Sequence, residues 1–134
     1  MLPPACRPAA SQLLCIAPGG RARPREVYAY DLTPLPACPP QQGPPLALRN
    51  RRLFYRLSEG EGIPDGMKVD RDGRLFIGCG DGVHVCAPDG RRLGKFKVEG
   101  GGAQLCFGGE AGRTLLILSE TRALTIELTT ECGL

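Results

Sequence analysis

Apolar and polar residues alternate along this chain in short runs set apart by glycine-bearing turns. A period of two places every second side chain on one face of a pleated strand, so each run reads as a β-strand. Ten runs qualify. They are LLCIA (13–17), EVYAYDL (26–32), RRLFYRL (51–57), GMKVD (66–70) and RLFIGC (74–79), then GVHVCA (82–87), GKFKV (94–98), AQLCFG (103–108), TLLILS (114–119) and ALTIEL (123–128). No stretch carries apolar residues at helical spacing over a useful length. The turns DRDG and PDG hold Asp and Gly, which cap tight turns with a side chain or accept positive φ. The expected class is all-β.

Proline interrupts this pattern twice. It is dense through 1–25, and again through 33–48, where TPLPACPPQQGPP reads as a Pro-rich loop because each proline removes a backbone donor. The remaining runs repeat. MKVDRDGRLFIG (67–78) aligns with LCFGGEAGRTLLIL (105–118), and GVHVCAPDG (82–90) with ALTIELTTE (123–131) and EVYAYDLTP (26–34). Leu75 and Leu115 stand 40 positions apart, a step suited to four-stranded propeller blades. This periodicity favours β-propeller blades over a closed barrel. The expectation is one partial propeller domain over 1–134, with about two to three blades of four-stranded antiparallel sheets and 1–25 as a degraded or loosely ordered first blade.

Charge narrows the function classes. The net charge of +3 comes from 17 basic and 14 acidic side chains spread over 134 residues. Arg51-Arg52 and Arg91-Arg92 lack interleaved aromatic platforms, so no nucleic-acid partner is expected. No apolar run approaches the roughly 20 residues of a membrane-spanning helix. MLPPACRPAASQLLCIAPGG has no basic region ahead of its apolar patch, so a secretory signal is not expected and the reading is cytoplasmic. The seven cysteines contain no CxxC pair, and those within strand-like runs are expected to pack as reduced, small hydrophobes.

The stretch from Ser58 to Phe96 concentrates the candidate chemistry in five aspartates: Asp65, Asp70, Asp72, Asp81 and Asp89. Asp65 directly precedes a strand that would be the innermost of its blade, where residues face the mouth of a propeller channel. The other four follow strands or occupy turns, and are expected to cap them. A calcium loop starting at Asp70 would need a ligand where Arg74 stands, so no EF-hand is expected. His84, the single histidine, lies mid-strand and is expected to be packed. Ser58 and Ser119 lack a nucleophile elbow. VEGGGAQLCFGGEAG lacks the Lys-Ser/Thr of a phosphate loop.

The segment GIPDGMKVDRDGRLFIGCGDGVHVCAPDGRRLGKFKV, followed by LCFGGEAGRTLLIL, resembles the senescence marker protein-30/gluconolactonase family. The resemblance runs from about Glu26 to Leu128, and 62–134 holds the best-matching blades. It implies a six-bladed propeller with one divalent metal, usually Ca²⁺, and hydrolysis of sugar lactones or related cyclic esters. It also implies that Asp65, the aspartate of PDGM, is both metal ligand and catalytic base. Other family ligands have no counterpart, since LPPACRP (2–8) holds no Asn-Gly and LLCIAPGG places Ala17 or Pro18 at an acidic position. The chain alone is therefore expected to hold an incomplete site and to be inactive. Two other readings stand beside the lactonase: a catalytically inactive truncated propeller, and a ligand- or protein-binding module. The expected partners are a small lactone and, through unpaired blade faces, further copies of the chain.

Overall fold

A computed structural model of the chain describes residues 12–16, 25–34, 46–129 and 132. All ten expected strands among them form. They are β1 (Gln12–Ile16), β2 (Glu26–Pro34), β3 (Leu46–Arg56), β4 (Met67–Val69), β5 (Leu75–Cys79), β6 (Gly82–Cys86), β7 (Arg92–Lys97), β8 (Gln104–Gly108), β9 (Thr114–Leu118) and β10 (Ala123–Glu127). The single helical piece among the described residues is a 3-10 turn at Glu110–Gly112, and no helix there is long and apolar enough to cross a membrane.

Every strand pairs antiparallel with its sequence neighbour, giving three meandering sheets: β1-β2-β3, β4-β5-β6-β7 and β8-β9-β10. Among the described residues the central sheet has four strands and the other two have three each, where four were expected in each. The expected first blade lies mostly at 1–11 and 17–24, outside the described residues. The 33–48 segment is not all loop. Leu32, Thr33 and Pro34 pair with Leu48, Ala47 and Leu46, so both ends of it belong to strands. Pro34 is tolerated because it closes its strand, where a missing N–H costs least. Leu46 and Leu48 are both exposed, and an uncovered strand shows no alternation to read.

The central sheet has a neighbouring sheet on each face, which explains why RLFIGC and GVHVC read as almost continuous apolar runs. Leu75, Ile77 and Cys79 of β5 point to one side and join Val27, Tyr55, Leu57 and Cys86 in a core with the first sheet. Phe76 points the other way, into a second core with Val83, Leu105, Leu115, Ile117 and Cys132. Alternation along one strand thus feeds two cores. Phe76 meets Phe107 edge-on across the second, with ring centroids 5.1 Å apart. Full burial of a side chain such as Ile77, which is 0% exposed, contributes about 1.5–3 kcal/mol.

Candidate functional site

Glu61–Gly66 links the first sheet to the central one and ends in the Pro-Asp-Gly that opens β4. Two consecutive peptides there are pinned to different sheets. The Asp65 amide donates to the Gly78 carbonyl at 2.8 Å, and the Gly66 amide donates to the Ala103 carbonyl at 2.6 Å. Asp65 therefore stands where the central and third sheets meet, with an exposed side chain. It lines a cavity of about 220 Å³ together with Ile63, Cys79, Gly80, Gly101 and Glu120. Among the described residues no side chain donates a hydrogen bond to the Asp65 carboxylate.

Glu120 is the second carboxylate on this cavity, and the sequence reading missed it. It sits in the turn between β9 and β10, at the same end as the start of β8. The available signal was the 40-residue repeat, which sets Glu120, in the β9–β10 turn, at the place of Gly80 in the β5–β6 turn. A larger open groove of about 390 Å³, lined by Phe76, Val85, Leu93, Phe96 and Leu128, holds neither carboxylate.

The remaining aspartates divide as follows. Asp70 Oδ1 accepts the amides of Asp72 and Arg74, and its other oxygen meets Arg74 Nε at 2.6 Å, so it caps the β4–β5 turn. Asp72 pairs with Arg74. Asp89 accepts the Arg91 amide at 2.9 Å. Asp81, expected to cap its turn, instead directs its carboxylate to two side chains. Its carboxylate lies 2.8 Å from His84 Nε2 and 2.7 Å from Lys95 Nζ.

That contact belongs to a closed polar network between the first and central sheets. His84 is fully buried, and its Nδ1 lies 2.8 Å from Tyr55 Oη. With Asp81 ionised, Nε2 carries the proton and donates, and Tyr55 donates to Nδ1. Glu61 accepts from Arg92 at 2.6 Å, from Lys95 at 3.3 Å and from the Ser58 amide at 2.8 Å. Burial opposes the Glu61 charge, but these three donors hold its carboxyl down at about 2. Asp81 is likewise held below the usual carboxylate range, Lys95 and His84 outweighing burial. Tyr55 is raised by burial. Donor atoms of Glu61, Asp81 and His84 lie within 4.8 Å of one another, a spacing a metal could use. Lys95 and Arg92 already match the two carboxylate charges there, so the group is an ion-pair network. Burial pushes the Cys79 and Cys86 thiols up to about 12, which removes them as nucleophiles.

The sequence profile of the SMP-30/Gluconolactonase/LRE-like region matches residues 37–121, the stretch that carries Asp65, the network and Glu120. The chain belongs to that family. Among its relatives, the regucalcin of Danio rerio is 40% identical over 76 residues, covering 54% of this chain and 26% of that protein. The gluconolactonase of Zymomonas mobilis is 34% identical over 106 residues, covering 78% of this chain and 28% of that one. The chain thus spans about a quarter of the length of the relatives it matches. Among solved structures, a gluconolactonase from Xanthomonas campestris superposes with a TM-score of 0.69 at 29% identity, over 91% of this chain and 35% of that one. A luciferin-regenerating enzyme shares the fold at 18% identity, with a TM-score of 0.65 over 82% of this chain and 40% of its own. Within the SMP-30/gluconolactonase/LRE-like family, this chain presents a Pro-Asp-Gly corner with its aspartate open to a cavity, and a separate ion-pair network around Glu61 and Asp81.

Proposed function

We propose that this chain carries the metal-holding corner of a lactone-hydrolysing, six-bladed propeller, with Asp65 as the metal ligand and proton acceptor. One observation carries the reading. Asp65 is the carboxylate that combines the family's Pro-Asp-Gly motif with an exposed side chain on a cavity, free of competing donors among the described residues. Its hard oxygen donors, with Glu120 on the same cavity, fit Ca²⁺ in chemical type, although such an ion takes six to eight oxygens. When bound, a divalent cation would polarise the lactone carbonyl and acidify a coordinated water. Asp65 would take the proton of the attacking water as its oxygen bonds to the carbonyl carbon. The ring C–O bond then breaks, and the proton passes to the released oxygen, leaving a hydroxy acid. The similarity to gluconolactonases supports a small cyclic ester as substrate.

A second reading, a propeller segment without catalysis, is favoured by the same cavity, because Asp65 and Glu120 are its two carboxylates among the described residues. Calcium separates the two. At 100 times its Kd a ligand adds about 2.7 kcal/mol of stability, a rise of several degrees for a domain of this size. A melt of the 134-residue chain should shift with millimolar Ca²⁺ and lose the shift in Asp65→Ala. A calcium-blind transition together with no opening of a gluconolactone would select the segment without catalysis.

A further inference from the structure

The floor beneath Asp65 is built from glycines of two sheets in direct backbone contact. Besides the bonds from Asp65 and Gly66, the Gly78 amide donates to the Gly66 carbonyl at 2.8 Å, and the Gly102 amide donates to the Cys79 carbonyl at 2.9 Å. Four hydrogen bonds therefore tie the Asp65-Gly66 corner, the end of β5 and the start of β8 into one unit. Side chains have no room in it. A Cβ at Gly66 would stand 2.5 Å from the Ala103 oxygen and 2.8 Å from Gln104 Cα. One at Gly78 would overlap the Gly102 carbonyl, whose carbon lies 2.9 Å away. Neither glycine has a positive φ, so what they supply is close approach of two backbones rather than a special conformation.

We propose that Gly66 and Gly78 are positioning residues for Asp65. By letting the central and third sheets touch, they fix the peptide that carries the carboxylate, so the ligand geometry at Asp65 depends on the spacing between two sheets. This rests on the reading of Asp65 as the metal-holding carboxylate. The rigidity of the corner is a separate physical claim and is tested separately.

The test uses the 134-residue chain, with Gly78→Ala as the variant and Gly94→Ala as control, since a Cβ at Gly94 meets nothing within 4 Å. Amide hydrogen exchange at Asp65 and Gly66 should accelerate in Gly78→Ala by about tenfold beyond any change at the β9 amides, and should stay at the wild-type rate in Gly94→Ala. Affinity for Ca²⁺, read by calorimetry, should fall by about tenfold or more, as when a ligand loses its supporting shell. If Gly78→Ala fails to fold, Gly102→Ala replaces it, its Cβ meeting Val83 Cγ2 at 3.2 Å and the Gly82 oxygen at 3.3 Å. Unchanged exchange at Asp65 and Gly66, or acceleration equal across all strands, overturns the proposal. Selective acceleration in a chain that never binds Ca²⁺ upholds the positioning role and overturns the metal reading instead.

Discussion

At the scale of single residues, two carboxylates with opposite surroundings do different work. Asp65 is exposed and, among the described residues, without a side-chain donor, a state that leaves its oxygens available to a ligand. Glu61 is 8% exposed and surrounded by donors, so its charge is committed to the fold. Its carboxyl is held at about 2 in the folded chain against 4.5 in the unfolded one. A depressed carboxyl stabilises the fold above its unfolded value and loses that contribution as pH falls toward the folded one. Stability should therefore drop by roughly 2 kcal/mol between pH 5 and pH 2 on account of Glu61, with Asp81 adding to the fall in the same direction. Urea titrations across that range should show a shallower acid limb in Glu61→Gln, and an unchanged limb would remove Glu61 from the account. Tyr55→Phe tests the other arm of the network. It deprives buried His84 Nδ1 of its donor, and the urea midpoint at pH 7 should fall by an amount worth about 1–3 kcal/mol.

At the scale of elements, β5 shows how a five-residue strand serves two interfaces. Its even and odd positions enter different cores, so LFIGC is buried at every position. Ile77→Ala should cost about 2–5 kcal/mol in equilibrium unfolding, the range for a large apolar side chain removed from a packed site. Leu53→Ala on β3, where the side chain is 47% exposed, should stay within about 0.5 kcal/mol. Equal losses at the two positions would contradict the stacking of three sheets. The strands were legible in sequence because burial on at least one face leaves alternation or an apolar run. The first residues of β3 were not, because Leu46 and Leu48 are half exposed and burial enforces no pattern on them. The register shifts in the β2–β3 pair were equally hidden. There Asn50 takes a φ of 53° and bonds Asp31 through its amide at 2.9 Å, a long-range match that no local propensity contains.

At the scale of the whole molecule, the three sheets form a stack whose middle layer is covered on both sides. Hydrogen exchange should be slowest in β5 and β6, and faster in the exposed first half of β3 and in β10. Uniform protection across all three sheets would argue against that layering. The sequence by itself determined the all-β class, the antiparallel meander and the turn-capping roles of Asp70 and Asp89. Each of these depends on residues within one hairpin, where period-two alternation and Asp-Gly turn chemistry act locally. It also singled out Asp65, through a short motif ahead of an inner strand. Only the tertiary structure decided what surrounds those residues. Glu120 comes to the Asp65 cavity across two sheets, Tyr55 and His84 meet 29 positions apart, and Glu61 and Lys95 meet 34 apart. Such contacts depend on which faces stack and how closely their backbones approach. That distance is set at Gly66 and Gly78 by the absence of a side chain, which a linear pattern of apolar and polar residues does not record.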